Sequence, residues 1–355
     1  MNSNTSKPSD KTRHDFESIG MTERELVLRT LEFRNTTGIV PREIWILPWA
    51  FKHYGKELNE FLERYSFDFE GLGDCGYTEQ GVERGDRASV GESVDGWGCT
   101  FINIHDGVIG EVKEPQVQDD DWLDCDKVHV PEEWLSFSVD KVNAMCADTT
   151  KFVRAGTVIC PFEQLQFIRG TENLFMDFVT KPSKMLEFKE KMHDFYCRLV
   201  TKWCQTDVDG IQINDDWGTQ RSLLISPELW KELFMPMYRD YCDIAKKYGK
   251  KVFMHSDGYT LDIIPYLIDI GVDALNCQIA CMGADNLEQF AGDITFWGEV
   301  DRQYILPFGT TEDVERFVRD VRKRLWKDGG CIAQCEFSAG GKPENIARVF
   351  EVWDE

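Results

Sequence analysis

His255 and Asp257 stand two apart in the run Val252-Phe253-Met254-His255-Ser256-Asp257-Gly258, so in an extended backbone both side chains point to the same side. Cys335 closes a later apolar run, 331–334, and Glu299 closes another, 295–298. An imidazole, a carboxylate and a thiolate at strand ends form the mixed N, O and S set that Zn²⁺ takes, with one position left open when the ion is catalytic. The same residues also read without a metal, as a hydrogen-bonded structural histidine and a buried thiol. Asp215 and Asp216 are adjacent and diverge if a strand continues through them. One then reaches a cavity as a general acid or substrate anchor, while the other caps the loop into the next helix. Trp45, Trp49, Trp97, Trp217 and Phe337 lie near run ends or in the long segment after the second run, where they either wall an apolar pocket or pack as plain core. Of these, Trp49 and Trp217, with the polar run-end residues Asn214 and Gln334, are the substrate-binding candidates.

The elements that must hold these residues follow from the spacing of apolar runs. From Lys151 onward, short runs at 152–159, 210–214, 251–255, 274–277, 295–298 and 331–334 alternate with amphipathic segments near 184–204, 227–248, 260–270, 286–291, 312–327 and 343–353. Ser226-Pro227 and Thr311-Glu312 start helices well, and Gly249 and Gly329-Gly330 stop them. Six βα units need a parallel sheet with helical cover, because parallel strands require long crossovers. With 43–47 and 67–69 as first and second strands the count reaches eight. An α/β fold is therefore expected, a single (β/α)8 barrel in preference to an open doubly wound sheet, since no glycine-rich phosphate loop follows the first strand. In such a barrel the chemistry sits at the C-terminal strand ends, where the polar residues named above lie.

Three regions depart from the alternation. Residues 1–20 are polar without an apolar period and read as a flexible tail, leaving 21–355 as the barrel. Thr22-Glu23-Arg24-Glu25 has the capping-box pattern and predicts a helix to about Asn35. Between 73 and 150 the chain is rich in Gly, Asp and Trp, a large insertion after an early strand, with a hairpin expected where 98–105 turns at Asp106-Gly107 into 108–112. The acidic residues Asp119, Asp120, Asp121, Asp124 and Asp126 lack the glycine and terminal glutamate of a calcium loop and read as a solvated acidic loop.

Composition bounds the partners. The 355 residues carry 40 Lys and Arg against 63 Asp and Glu, a net charge of −23, which repels phosphate backbones and anionic lipid surfaces. No stretch reaches the roughly 18–20 apolar residues of a membrane-spanning helix. The N-terminus lacks the apolar core of a signal peptide, so a cytosolic protein is expected. Its 12 cysteines show no compact repeating spacing and read as mostly buried thiols.

The runs 209–218 (Asp-Gly-Ile-Gln-Ile-Asn-Asp-Asp-Trp-Gly) and 252–258, then Phe296-Trp297-Gly298-Glu299-Val300-Asp301 and Pro343-Glu344-Asn345-Ile346, resemble the uroporphyrinogen decarboxylase superfamily from about residue 22 to the end. The resemblance implies a single (β/α)8 barrel and one of two chemistries. One branch decarboxylates without a cofactor, holding substrate carboxylates with arginines of an early strand-to-loop segment. Here that segment reads Trp45-Ile46-Leu47-Pro48-Trp49-Ala50-Phe51, without arginine, so a decarboxylase reading requires a smaller acid. The other branch comprises cobalamin-dependent methyltransferases, which bind zinc through a His-x-Cys pair and a late cysteine. His255 and Cys335 match that pattern, and Asp257 replaces the middle cysteine. Asp257, Glu299 or Cys277 then completes the metal set. The resemblance thus implies a zinc methyltransferase that moves a methyl group between a small methoxylated or methylated substrate and a corrinoid (methylcobalamin) carried by a partner protein. Asp215, Asp216 or Glu336 would protonate the leaving oxygen, and the insertion would serve as the partner's rim.

Overall fold

The structure, a computed structural model, describes residues 16–355. Most of the tail expected over 1–20 lies outside the described residues, and its end forms the one-turn helix Phe16–Ile19. Eleven strands occur among the described residues: β1 (Arg42–Ile46), β2 (Phe69–Glu70), β3 (Gly91–Val94), β4 (Thr100–Asn103), β5 (Glu111–Val112), β6 (Phe152–Val153), β7 (Gly210–Asn214), β8 (Lys251–Ser256), β9 (Ala274–Cys277), β10 (Thr295–Trp297) and β11 (Cys331–Phe337). The chain divides into two compact units. The first holds residues up to Glu70, Thr150–Phe152 and Ala274–Glu355, and the second holds Gly71–Thr149 and Val153–Asp273. No helix among the described residues is long and apolar enough to cross a membrane.

In the first unit, β1 pairs in parallel with β11 from Arg42↔Ala333 to Ile46↔Phe337, β11 with β10, and β10 with β9. All seven residues of β11 are buried, as expected for a parallel strand covered on both faces. Cover comes from helices such as Thr311–Leu325, which buries Val314, Val318, Val321 and Leu325 at helical spacing. Thr310 and Asp313 close a capping box at its start. Beyond its end, Gly329 adopts φ +135°, and a Cβ there would lie 2.4 Å from the carbonyl oxygen of Thr30. The first long helix is Glu23–Leu31, shorter than the expected run to Asn35. Thr22 caps the amide of Glu25 at 3.2 Å, and Phe33 takes φ 52°, which ends the helix.

In the second unit, β7 and β8 pair in parallel from Gly210↔Lys251 to Asn214↔His255. The expected strand 152–159 is not continuous. Ala155 N–H donates to Gly210 O and Ile159 N–H to Gln212 O, so four residues on one side face two on the other, and Gly156 and Thr157 bulge out of the ladder. The segment expected as one helix over 227–248 is two, Pro227–Leu233 and Met235–Lys247. Pro236 has no amide to donate and crowds the preceding turn. The segment 71–149 forms an antiparallel meander β3-β4-β5 with Phe101↔Val112, which is the expected hairpin, and Gly107 takes φ 89° at its turn. In the acidic loop Asp119 accepts the amides of Leu123 and Asp124. Asp120 points to solvent and pairs with the buried Arg169 at 3.4 Å.

Candidate functional site

The centre of the second unit is built where β7 and β8 end side by side. Past the ladder, Asp215 N–H donates to His255 O at 3.1 Å and Gly218 N–H to Asp257 O at 3.0 Å, so the two loops continue in register. Trp217 N–H donates to Ser256 Oγ at 3.0 Å. Asp257 N–H donates to Asp216 Oδ1 at 2.8 Å and fixes that carboxylate. This close approach requires glycine on both loops. A Cβ on Gly218 would lie 2.4 Å from Tyr259 N, and one on Gly258, at φ +78°, would lie 2.4 Å from the carbonyl of Gly218.

Three ligand-type side chains converge there. His255 Nε2 lies 3.4 Å from Asp216 Oδ1 and 3.5 Å from Asp257 Oδ1, and the three ligand atoms all fall within 4.8 Å of one another. His255 is mostly buried, whereas Asp216 and Asp257 keep part of their surface open. One imidazole nitrogen and two carboxylate oxygens at this spacing fit a borderline divalent cation with further positions open.

The adjacent aspartates divide. Asp216 faces His255, while Asp215 is fully buried, accepting the amide of Glu163 at 2.8 Å and the hydroxyl of Tyr238 at 2.5 Å. Burial pushes the Asp215 carboxyl well above the usual carboxylate range, and the neighbouring Glu163 adds to this. Trp217 lies in the core, stacked on Phe162 with centroids 3.9 Å apart and donating to Tyr238 Oη at 3.1 Å. Asn214 accepts from Gln212 Nε2 at 2.9 Å.

Sequence reasoning missed Glu163, which enters on the helix Pro161–Arg169. Burial first, then the Asp216 and Asp257 carboxylates, push its carboxyl up to about 7, opposed by His255 and Arg87. The same segment borders a cavity of about 550 Å³, lined by Cys160 and Gln164 together with Tyr77, Glu83, Asp95 and Trp134. The walls from the 73–150 segment carry no motif. A leading signal was the proline that starts this helix directly after a strand-like run.

The other expected residues lie in the first unit. Glu299 and Cys277 meet through the Glu299 N–H bond to Cys277 O at 3.1 Å. Glu299 is buried and lies 3.5 Å from Arg302, whose guanidinium bonds Glu336 at 2.8 Å. Cys335 is buried on β11 opposite Ile44, and burial, then Glu299 and Glu336, push its thiol well above the ordinary range. Burial and Glu299 likewise raise the Cys277 thiol. Gln334 accepts from Asn276 at 3.1 Å, and Trp49 stacks on His53 at 3.9 Å.

A family model described as uroporphyrinogen decarboxylase (URO-D) matches residues 95–355, a span that includes Glu163, Asp216, His255, Asp257, Glu299 and Cys335. Among solved structures, a methyltransferase from Methanosarcina mazei superposes with a TM-score of 0.63 at 12% identity, covering 94% of this chain and 98% of that chain, a likeness of fold. A 3-keto-D-glucoside 4-epimerase from E. coli, in its apo form, matches at TM-score 0.37 and 13% identity over 61% of this chain and 83% of that one, too weak a likeness to inform the fold. No curated protein matches in sequence.

Proposed function

The chain belongs to the uroporphyrinogen decarboxylase family, and from that premise we propose that it is a metal-dependent methyltransferase acting between a small methylated or methoxylated compound and a corrinoid protein. Family membership supports the (β/α)8 barrel as its frame. The observation that carries the reading is the convergence of Asp216, His255 and Asp257. Because an imidazole between two carboxylates would also serve a cofactor-free decarboxylase as a proton donor, the bound metal itself is what separates the two branches. The M. mazei methyltransferase, alike in fold over nearly its whole length, supports the same branch.

In this reading Asp216, His255 and Asp257 hold zinc, which supplies Lewis-acid polarisation of the substrate heteroatom. Asp257, through its amide, keeps Asp216 Oδ1 aimed at His255. Glu163, whose carboxyl burial holds above the usual carboxylate range, is placed to hold or give a proton beside the leaving heteroatom. Asp215 positions rather than reacts: it ties the start of the 161–169 helix to Tyr238 and so sets where Glu163 enters.

A corrinoid partner needs a docking surface, and the meander offers one. Val90, Ile104 and Ile109 on its turns are 62%, 74% and 65% exposed, bare aliphatic surface on an acidic chain. The test is methyl transfer from methoxylated and methylated compounds to a cobalamin-loaded carrier, with and without chelator. Transfer that needs both carrier and metal supports the reading. Turnover of a carboxylic acid that persists in chelator and needs no carrier overturns it.

A further inference from the structure

We propose that the helices Ser183–Cys204 and Met235–Lys247 carry a second divalent-metal site, made by His193, Cys197 and Asp240 and suited to zinc or another borderline transition ion. His193 and Cys197 stand four apart on the first helix, one turn, and so share a face. Asp240 comes from the second helix. His193 Nε2 lies 2.9 Å from Asp240 Oδ2, and Cys197 Sγ lies 3.7 and 3.8 Å from Nε2 and Nδ1 of the ring. The three ligand atoms fall within 4.8 Å of one another, a spread that bonds of about 2.0–2.3 Å to a common tetrahedral ion span with small side-chain adjustment.

The surroundings select these three atoms. Tyr241 Oη lies 3.1 Å from His193 Nδ1, and when Nδ1 donates its proton there, Nε2 keeps its lone pair for a metal. Tyr241 is fully buried, so it is a fixed anchor for the ring. Two other acids flank Cys197, but Asp194 is bonded by Arg198 Nε at 3.0 Å and Glu190 by Lys189 Nζ at 3.0 Å. Asp240 Oδ2 instead faces His193 Nε2, the nitrogen that would hold the metal. Binding Zn²⁺ to a thiolate, a carboxylate and a neutral imidazole gives zero net charge, which suits a half-buried position. The Cys197 thiol proton leaves to solvent, and a water completes the coordination. None of these residues belongs to the Asp216–His255–Asp257 set, so the two sites fail or stand separately.

Cobalt titration of the metal-stripped full-length protein tests the proposal, because a thiolate ligand gives cobalt a near-ultraviolet charge-transfer band that N and O ligands do not. The expected result is a band that saturates at one equivalent in His255→Ala and by two equivalents in the wild type, whose other centre also takes cobalt; it is absent in Cys197→Ser and requires at least about tenfold more cobalt in Asp240→Asn. Asp240 is exposed, so that last variant keeps the fold even if a change at Cys197 does not. A wild-type protein without the band, or a band unchanged in Cys197→Ser and Asp240→Asn, overturns the proposal.

Discussion

Asp257 donates its main-chain N–H to the side-chain oxygen of Asp216 at 2.8 Å, so one acid of the candidate centre holds the other. The side chain of Asp257 and that of Asp216 then meet the same imidazole nitrogen. Backbone register, not side-chain flexibility, sets the spacing of the three ligands.

Replacing Asp257 by cysteine restores the His-x-Cys spacing of the resemblance and exchanges a hard donor for a soft one. In a Cys197→Ser background the expected outcome is tighter zinc binding and a new cobalt–thiolate band. Asp257→Ala is expected to weaken zinc by at least about tenfold, read by competition with a chromophoric chelator.

Asp215→Ala leaves the amide of Glu163 and the hydroxyl of Tyr238 without their buried acceptor. A loss of about 1–3 kcal/mol is expected in urea unfolding, with the folded variant still binding metal at Asp216, His255 and Asp257. A variant of unchanged stability would remove Asp215 from its positioning role.

Trp217→Ala tests whether that ring is core or pocket wall. Its stacking on Phe162 and its bond to Tyr238 place it in the core, so a cost of about 3–5 kcal/mol is expected. Substrate affinity per folded molecule stays unchanged.

Six of the eight strands expected from apolar runs occur as strands of three or more residues, because buried parallel strands read as continuous apolar stretches, whereas the runs 67–69 and 152–159 give only the two-residue strands β2 and β6. Their interruptions were less legible. The bulge at Gly156-Thr157 is set by which carbonyls of β7 are reached, a pairing no local pattern encodes. Asp215 and Asp216 were indistinguishable until the loop after β7 showed which faced Tyr238 and which faced His255. Glu163 was invisible because its environment comes from β7 and β8, some 50 to 90 positions away in the chain. Pro236, by contrast, was a readable break inside the expected 227–248 helix.

Glu83 gives a pH prediction. Burial, and then the charges of Asp95 and Glu133, raise its carboxyl above the ordinary 4.5, opposed by Arg87. Below pH 4.5 it is protonated folded and unfolded alike, and stability falls as pH rises from there through the raised folded value. Glu83→Gln removes that loss. It is expected to stabilise the protein at pH 7 by no more than about 1 kcal/mol, since the group is half-exposed, and to have no effect at pH 4. Thermal unfolding at the two pH values checks both.

The most direct test of the metal centre is zinc titration calorimetry on metal-stripped Cys197→Ser protein, with and without His255→Ala. One equivalent is expected to bind in the first and none in the second, with both folded by circular dichroism. No binding in Cys197→Ser, or one equivalent persisting in Cys197→Ser/His255→Ala, would contradict it.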